Sequence, residues 1–268
     1  MNLLHTLTLE EYNLLSIIIM TRNEEKKIGK MLQSIVNQKF HGKYEIIIVD
    51  AHSSDNTRKI ITSFFNQLPL RIIDGEGKGI GADRNIGGNI CKGNILFFTE
   101  GDCFLNKGFL FELQRLFRNK NLMSWSTITF PIKSSGLIQL TYKMYDVARY
   151  LLTKIPYPFK GYSTSGAVLV IRREVWSKVG GFQEGTNMND DGFMGRKIRD
   201  HYRGKDQFLF CISPKYPIYR IADRFNDGYF KTLNHYIYIL GNFFPFLLHY
   251  LKNQMVYEGK RFSHEKIQ

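Results

Sequence analysis

The chain is poor in cysteine, with three in 268 residues (Cys91, Cys103 and Cys211). They are too few and too scattered for a disulfide framework or a CxxC zinc site. Proline is sparse at seven, and no stretch rich in Pro, Gly or Ser separates one part of the chain from another. No apolar run is long enough for a bilayer: the densest, Tyr236–Leu251, is interrupted by Asn242, Pro245 and His249. Met1–Glu10 has no basic segment ahead of an apolar one, so no secretory leader is expected. Acidic residues are the minority, 24 against 37 Lys and Arg, for a formal charge of +13. That balance favours anionic partners such as nucleotides, nucleic acid or acidic headgroups. With 43% hydrophobic and 23% charged residues, a disordered or collagen-like chain is excluded. The expected compartment is the cytoplasm, with peripheral attachment to the cytoplasmic face of the membrane as an open alternative.

What is present is an alternating pattern. Leu14–Met20, Tyr44–Val49, Leu70–Ile73 and Asn94–Thr99 are short β-branched or aromatic runs that read as buried strands. Between them, Glu24–Gln38, Asp55–Asn66 and Gly79–Ile90 carry apolar residues at helical spacing. Such alternation predicts right-handed βαβ units and a parallel sheet. Beyond Asn119 the spacing predicts strands at Met123–Phe130, Ala167–Ile171 and Phe208–Ile212, and helices at Leu137–Leu152 and Asn189–Arg203. These elements are expected to pack on the same sheet. Residues 1–228 are read as one domain in two halves, about 14–120 and about 121–228. Residues 229–268 form a basic amphipathic extension whose apolar stripe runs from Phe230 to Leu251. That stripe suits a helix lying on an anionic membrane surface and equally one docked on the core.

Ligands of open α/β sheets bind beyond the carboxyl ends of the strands. Four polar clusters fall there: Thr21–Glu24, Asp50–Thr57, Gly75–Asn85 and Glu100–Asp102. Asn23 and Asp55 are equally plausible as plain helix caps. Gly77-Lys78-Gly79-Ile80-Gly81-Ala82 matches a dinucleotide fingerprint, but it follows the third strand rather than the first. Glu100 and Asp102, two residues apart on a turn, can face one cation, and oxygen ligands suit Mg²⁺ or Mn²⁺. Left unneutralised, the two charges would repel, so a metal or another cation is expected between them. Asp190 and Asp191, at a predicted helix start, are either a capping pair or a general base.

In this order the clusters resemble the inverting, nucleotide-sugar-dependent family 2 glycosyltransferases with a GT-A fold. The matching stretches are SIIIMTRNEEKKIGKMLQSI, YEIIIVDAHSSDNT, GKGIGADRNIGG, ILFFTEGDC, SGAVLVIRREVWSKVGGFQE and NDDGFMGRKIR, spread from Leu14 to Arg203. The resemblance implies a Rossmann-like mixed sheet flanked by helices. It also implies that Thr21, Arg22, Glu24, Asp50 and Ser53 serve the nucleoside, with Asp50 on the base. Lys78, Gly79 and Arg84 would lie near the base and diphosphate. Glu100, Gly101 and Asp102 stand where the family keeps its DxD motif, Asp102 as direct metal ligand and Glu100 at the ribose or, through water, at the metal. Gly166 and the Gly180-Gly181-Phe182 turn match the segment shaping the donor-sugar and acceptor region. Asp191 is the expected base, with Asp190 as the alternative register.

The implied reaction is a single-sugar transfer from a nucleotide-diphosphate sugar, a UDP-sugar in preference to a GDP-sugar, with Mg²⁺ or Mn²⁺. The first acid of the motif is Glu rather than Asp, and no QxxRW follows the expected base, which argues against a processive synthase. Arg220 and Arg224 are candidates for the diphosphate instead. From Arg196 to Gln268 there are 13 Lys and Arg against 6 Asp and Glu, a balance of +7. That charge lies where the acceptor is expected, so a lipid-linked or glycan acceptor at a membrane surface is favoured. Two rivals remain. A nucleotidyltransferase would need a Gly-rich signature after the first strand, where TRNE stands. A nucleic-acid-binding protein would need a helix-turn-helix, zinc finger or RNP-like motif, and none is present, so no nucleic-acid partner is expected.

Overall fold

The computed structural model describes residues 14–38, 40, 42–132, 136–152, 167–185, 190–202 and 209–221. Eight strands form one sheet in the order β3-β2-β1-β4-β7-β6-β8-β5. Four of them are parallel neighbours: β1 (Leu15–Thr21), β2 (Tyr44–Asp50), β3 (Leu70–Asp74) and β4 (Ile95–Glu100). β1 and β4 are buried along their whole length, as continuous apolar runs covered on both faces require. The crossovers are α1 (Ile28–Val36), α2 (Thr57–Thr62) and α3 (Ile80–Ile90). β7 (Leu169–Arg172) runs antiparallel to β4 and to β6 (Leu122–Ile132), so the sheet is mixed.

Two apolar layers sandwich the sheet. On one side α1 and α4 (Phe109–Phe117) pack Met31, Leu32, Phe109 and Leu113 against Ile17, Ile19 and Phe97. On the other, Trp176 of α6 (Arg173–Lys178) and Met194 and Ile198 of α7 (Asp190–His201) meet Ile18, Phe98 and Ile171. α5 (Gly136–Leu152) adjoins β6, where Asp146 accepts the Thr129 amide at 2.8 Å.

Three elements were not read from the sequence: α4, α6 and β5 (Cys103–Leu105). β8 (Leu209–Ile221) extends nine residues past the expected strand end at Ile212. Its pairing with β6 jumps from Thr127↔Ser213 to Thr129↔Ile218, which carries Pro214 and Pro217 through an irregularity where neither needs a ladder N–H. β8 then pairs antiparallel with β5, placing Arg220 opposite Cys103 and directly beside the Glu100–Asp102 turn. The C-terminal extension expected at 229–268, Gly166, Asn189 and Arg224 lie outside the described residues.

Candidate functional site

The strand ends align because the parallel register does: Thr21 pairs with Asp50, Asp50 with Asp74, and Met20 with Glu100. The chain continues the ladder into the loops, with Ala51 N donating to Thr21 O (2.9 Å), Gly75 N to Asp50 O (2.8 Å) and Gly101 N to Met20 O (2.9 Å). A cavity of about 300 Å³ opens at this edge, within the range of small-ligand sites. Its wall includes Thr21, Arg22 and Glu24 after β1, Gly79 and Asp83 at the start of α3, and Glu100 and Gly101 after β4. Thr21 Oγ1 is buried and meets no partner among the described residues, as a group kept for a ligand would. Gly101 is small for a reason: a Cβ there would sit 2.9 Å from Thr21 Oγ1 and 3.2 Å from Ile28 Cδ1.

The first two loops lock together. Asn23, in a left-handed conformation (φ 53°), receives Ser54 N on Oδ1 at 2.8 Å, while its own N–H donates to Ser53 Oγ at 2.9 Å. Glu24 N donates to Thr57 Oγ1 at 2.7 Å, and Asp55 Oδ1 accepts Thr57 N at 3.0 Å at the start of α2. Asn23 is thus a loop clasp rather than a helix cap, and Asp55 serves the helix. Asp50 is fully buried and accepts from Ser53 Oγ and from Arg58 Nε (2.8 Å). Asp50 and Ser53 therefore lie outside the cavity wall, whose acids are Glu24, Asp83 and Glu100. Burial pushes the Asp83 carboxyl above its ordinary value, although Glu76 N donates to its Oδ1 at 3.2 Å. Lys78 is exposed and paired with Glu76 at 2.7 Å.

Behind the cavity a charged chain crosses the fold. Arg84, 1% exposed, reaches Glu100 Oε1 at 3.0 Å through Nη2 and Asp190 Oδ2 through Nη1. Arg220 reaches Glu100 Oε2 through Nη2 and Asp102 Oδ2 at 3.0 Å through Nε. Acids separated by ninety residues of sequence, Glu100 and Asp190, are thereby joined through one guanidinium. Phe182, on the turn made by Gly180 (φ 72°) and Gly181 (φ 65°), lies 5.2 Å from Arg84 and is anchored by Asn85, whose Oδ1 accepts Phe182 N at 2.8 Å. Asp190 is buried in this chain, and burial pushes its carboxyl up even with Arg84 against it. Asp191, next along the first turn of α7, is half-buried and accepts Gly192 N on Oδ1 at 2.8 Å.

The comparisons with known proteins bear on the family and the fold. The sequence model of Glycosyl transferase family 2 matches residues 16–180, more than half of the chain. The chain belongs to glycosyl transferase family 2. The poly(ribitol-phosphate) β-N-acetylglucosaminyltransferase TarS of Staphylococcus aureus is 32% identical over 95 residues, 34% of this chain and 17% of TarS. The structure of TarS residues 1–349 with UDP-GlcNAc superimposes with a TM-score of 0.60 at 18% identity, covering 84% of this chain and 66% of that one. The mannosyltransferase PcManGT of Pyrobaculum calidifontis, solved with GDP-Man and Mn²⁺, gives a TM-score of 0.66 at 19% identity, covering 89% and 65%. The chain therefore spans less than two thirds of the length of these relatives, and the structural likeness establishes the GT-A fold.

The family 2 chain departs from expectation at the cation. Mg²⁺ and Mn²⁺ need several oxygen ligands in near-octahedral array. Among the described residues no cluster of three His, Cys, Asp or Glu is arranged for a metal. Three of the four oxygens of the Glu100–Asp102 pair accept from guanidinium groups instead. The neutralising charge expected between these acids is there, and it is arginine. Arg220 was only a candidate for the diphosphate from sequence, because nothing in YRIADRF reveals that β8 folds back beside β5. As arranged, the donor set does not fit a divalent ion. No helix among the described residues is long and apolar enough to cross a membrane.

Proposed function

We propose that the chain transfers a single sugar from a nucleotide-diphosphate sugar to an acceptor hydroxyl with inversion at the anomeric carbon. The observation that carries this reading is a cavity at the carboxyl ends of four parallel strands, with Glu100 in its wall, Asp190 and Asp102 joined to Glu100 behind it through Arg84 and Arg220, and Asp191 beside Asp190 on the first turn of α7. The nucleoside is assigned to the wall formed by Thr21, Arg22, Glu24 and Asp83, with Gly79 and Gly101 giving backbone access. A UDP-sugar is favoured, on the TarS complex with UDP-GlcNAc, while the GDP-Man bound by PcManGT makes guanosine the comparison to run.

Asp191 is assigned as the general base. Asp190 is committed to Arg84 and buried, so it is poorly placed to accept a proton from an incoming substrate. In the transfer, the acceptor oxygen bonds to the anomeric carbon as the bond from that carbon to the diphosphate oxygen breaks. The electron pair leaves on the diphosphate and the hydroxyl proton passes to Asp191. A lipid-linked or glycan acceptor, approached from an anionic membrane surface, is assigned to the basic second half of the chain.

Hydrolysis and transfer assays with UDP- and GDP-sugars test the reading, together with Asp191→Asn. That variant is expected to lose transfer by roughly 10²–10⁴-fold while calorimetry shows nucleoside diphosphate binding unchanged. Loss of nucleotide binding in parallel would assign Asp191 to the donor pocket instead.

A further inference from the structure

We infer that Arg220 is the resident cation of the Glu100–Asp102 pair and bears the charge toward the diphosphate that a divalent metal would otherwise supply. The inference rests on the glycosyltransferase reading of the site and gives its cation an identity. Arg220 is not a long surface side chain that has fallen onto an acid. Its Cα pairs with Cys103 across the β5–β8 ladder, Ile221 N donates to Asp102 O at 3.1 Å, and on its other side it pairs with Pro131 of β6. Backbone on two flanks thus fixes where its side chain starts, immediately beside the acidic turn.

One guanidinium holds both acids, Asp102 through Nε and Glu100 through Nη2, with its side chain only 11% exposed. Burial alone would weaken its charge, but Asp102 and Glu100 more than reverse that, so the group is locked in its protonated form. A metal bound at the same acids would have to displace Arg220, then leave a buried guanidinium without its carboxylates, which is unfavourable. The position also suits a phosphate. Glu100 forms part of the cavity wall, so the guanidinium bonded to it stands one side chain behind the space assigned to the diphosphate. A guanidinium carries five N–H donors in a planar fork matched to phosphate oxygens, so the same group can bridge the acids and a phosphate at once.

Isothermal titration of UDP and GDP into the full chain, in EDTA and with Mn²⁺, tests the assignment with wild type, Arg220→Ala and Arg220→Lys. Wild type is expected to bind one of the two nucleotides in EDTA, with Mn²⁺ altering Kd by less than about threefold. Arg220→Ala is expected to bind about tenfold more weakly or worse in EDTA, in line with loss of a charge-assisted hydrogen bond. Mn²⁺ should restore much of that affinity by entering the vacated place, and should raise the melting temperature of Arg220→Ala but not of wild type. Arg220→Lys should fall between, since it keeps the charge and loses the fork. If Arg220→Ala does not fold, the wild-type arms still decide. Wild-type binding that needs Mn²⁺ and vanishes in EDTA overturns the assignment and leaves the glycosyltransferase reading intact. Failure of wild type to bind either nucleotide under any condition overturns both.

Discussion

Among the individual side chains, Asp83 makes an unusual demand on the fold. It is 4% exposed, on the cavity wall, and its carboxyl sits above the ordinary value because burial disfavours the charge. An acid whose folded pKa is raised binds its proton more tightly folded than unfolded. Its penalty is absent below the unfolded value near 3.8 and develops as pH rises through the folded one. Asp83→Asn keeps the oxygen that accepts Glu76 N and removes the charge. The variant is therefore expected to melt higher than wild type, by a margin that is small near pH 4 and widens toward neutrality. Parallel melting curves across that range would show that solvent already relieves the charge. The contrast with Asp50 is instructive. The resemblance assigns Asp50 to the base, yet its carboxylate is taken by Ser53 and Arg58. A sequence identifies an acid at a strand end but not the rotamer that turns it toward a loop or toward a cavity. Asp190 and Asp191 pose the same problem: their chain positions are equivalent, and only the partner Arg84, 106 residues away, tells them apart.

At the level of elements, the turn between α6 and α7 controls the other side of the site. Gly180 and Gly181 both have positive φ, but only Gly181 is also crowded: a Cβ there would lie 2.6 Å from Asn85 Oδ1, whereas Gly180 faces open space. Asn85 holds Phe182 over Arg84, so the crowding would pass straight to the buried charge chain. Gly180→Ala is expected to lower stability by about 1–2 kcal/mol through backbone strain alone. Gly181→Ala should lower it further and also weaken nucleotide binding, as urea denaturation and calorimetry on the pair would show. Equal effects would mean the turn acts only as a connector. The four parallel strands were legible because an apolar run buried on both faces has a simple signature, and β1 through β4 fall within a residue or two of their expected bounds. β5 has three residues, too few for any periodicity, and forms only because β8 pairs with it. The prolines of β8 signal a strand end in one dimension; in three they occupy an irregularity, and the strand resumes to deliver Arg220.

Across the whole molecule the surplus of +13 is larger than the site can use. Arg84 and Arg220 are buried against acids, so they add nothing to the outer field. The surplus therefore lies elsewhere, and with Arg220 set aside the stretch from Arg196 to Gln268 still holds 12 Lys and Arg against 6 Asp and Glu, a balance of +6. A surface of this sign attracts an anionic membrane over about one Debye length, ~10 Å in 0.1 M salt and ~3 Å in 1 M. The apolar stripe from Phe230 to Leu251, read from the sequence, would add a contact that salt does not screen. These two contributions separate experimentally. In flotation assays the full chain is expected to rise with phosphatidylserine-containing vesicles and not with purely zwitterionic ones. Raising salt from about 0.1 to about 1 M should reduce binding of the full chain but abolish that of a chain ending at Gly228, which retains much of the charge and lacks the stripe. Identical salt curves for the two chains would place the stripe against the core, and the acceptor would then have to reach the enzyme by charge alone. Absence of the full chain from anionic vesicles at low salt would remove the membrane from the proposal and leave a glycan acceptor in solution.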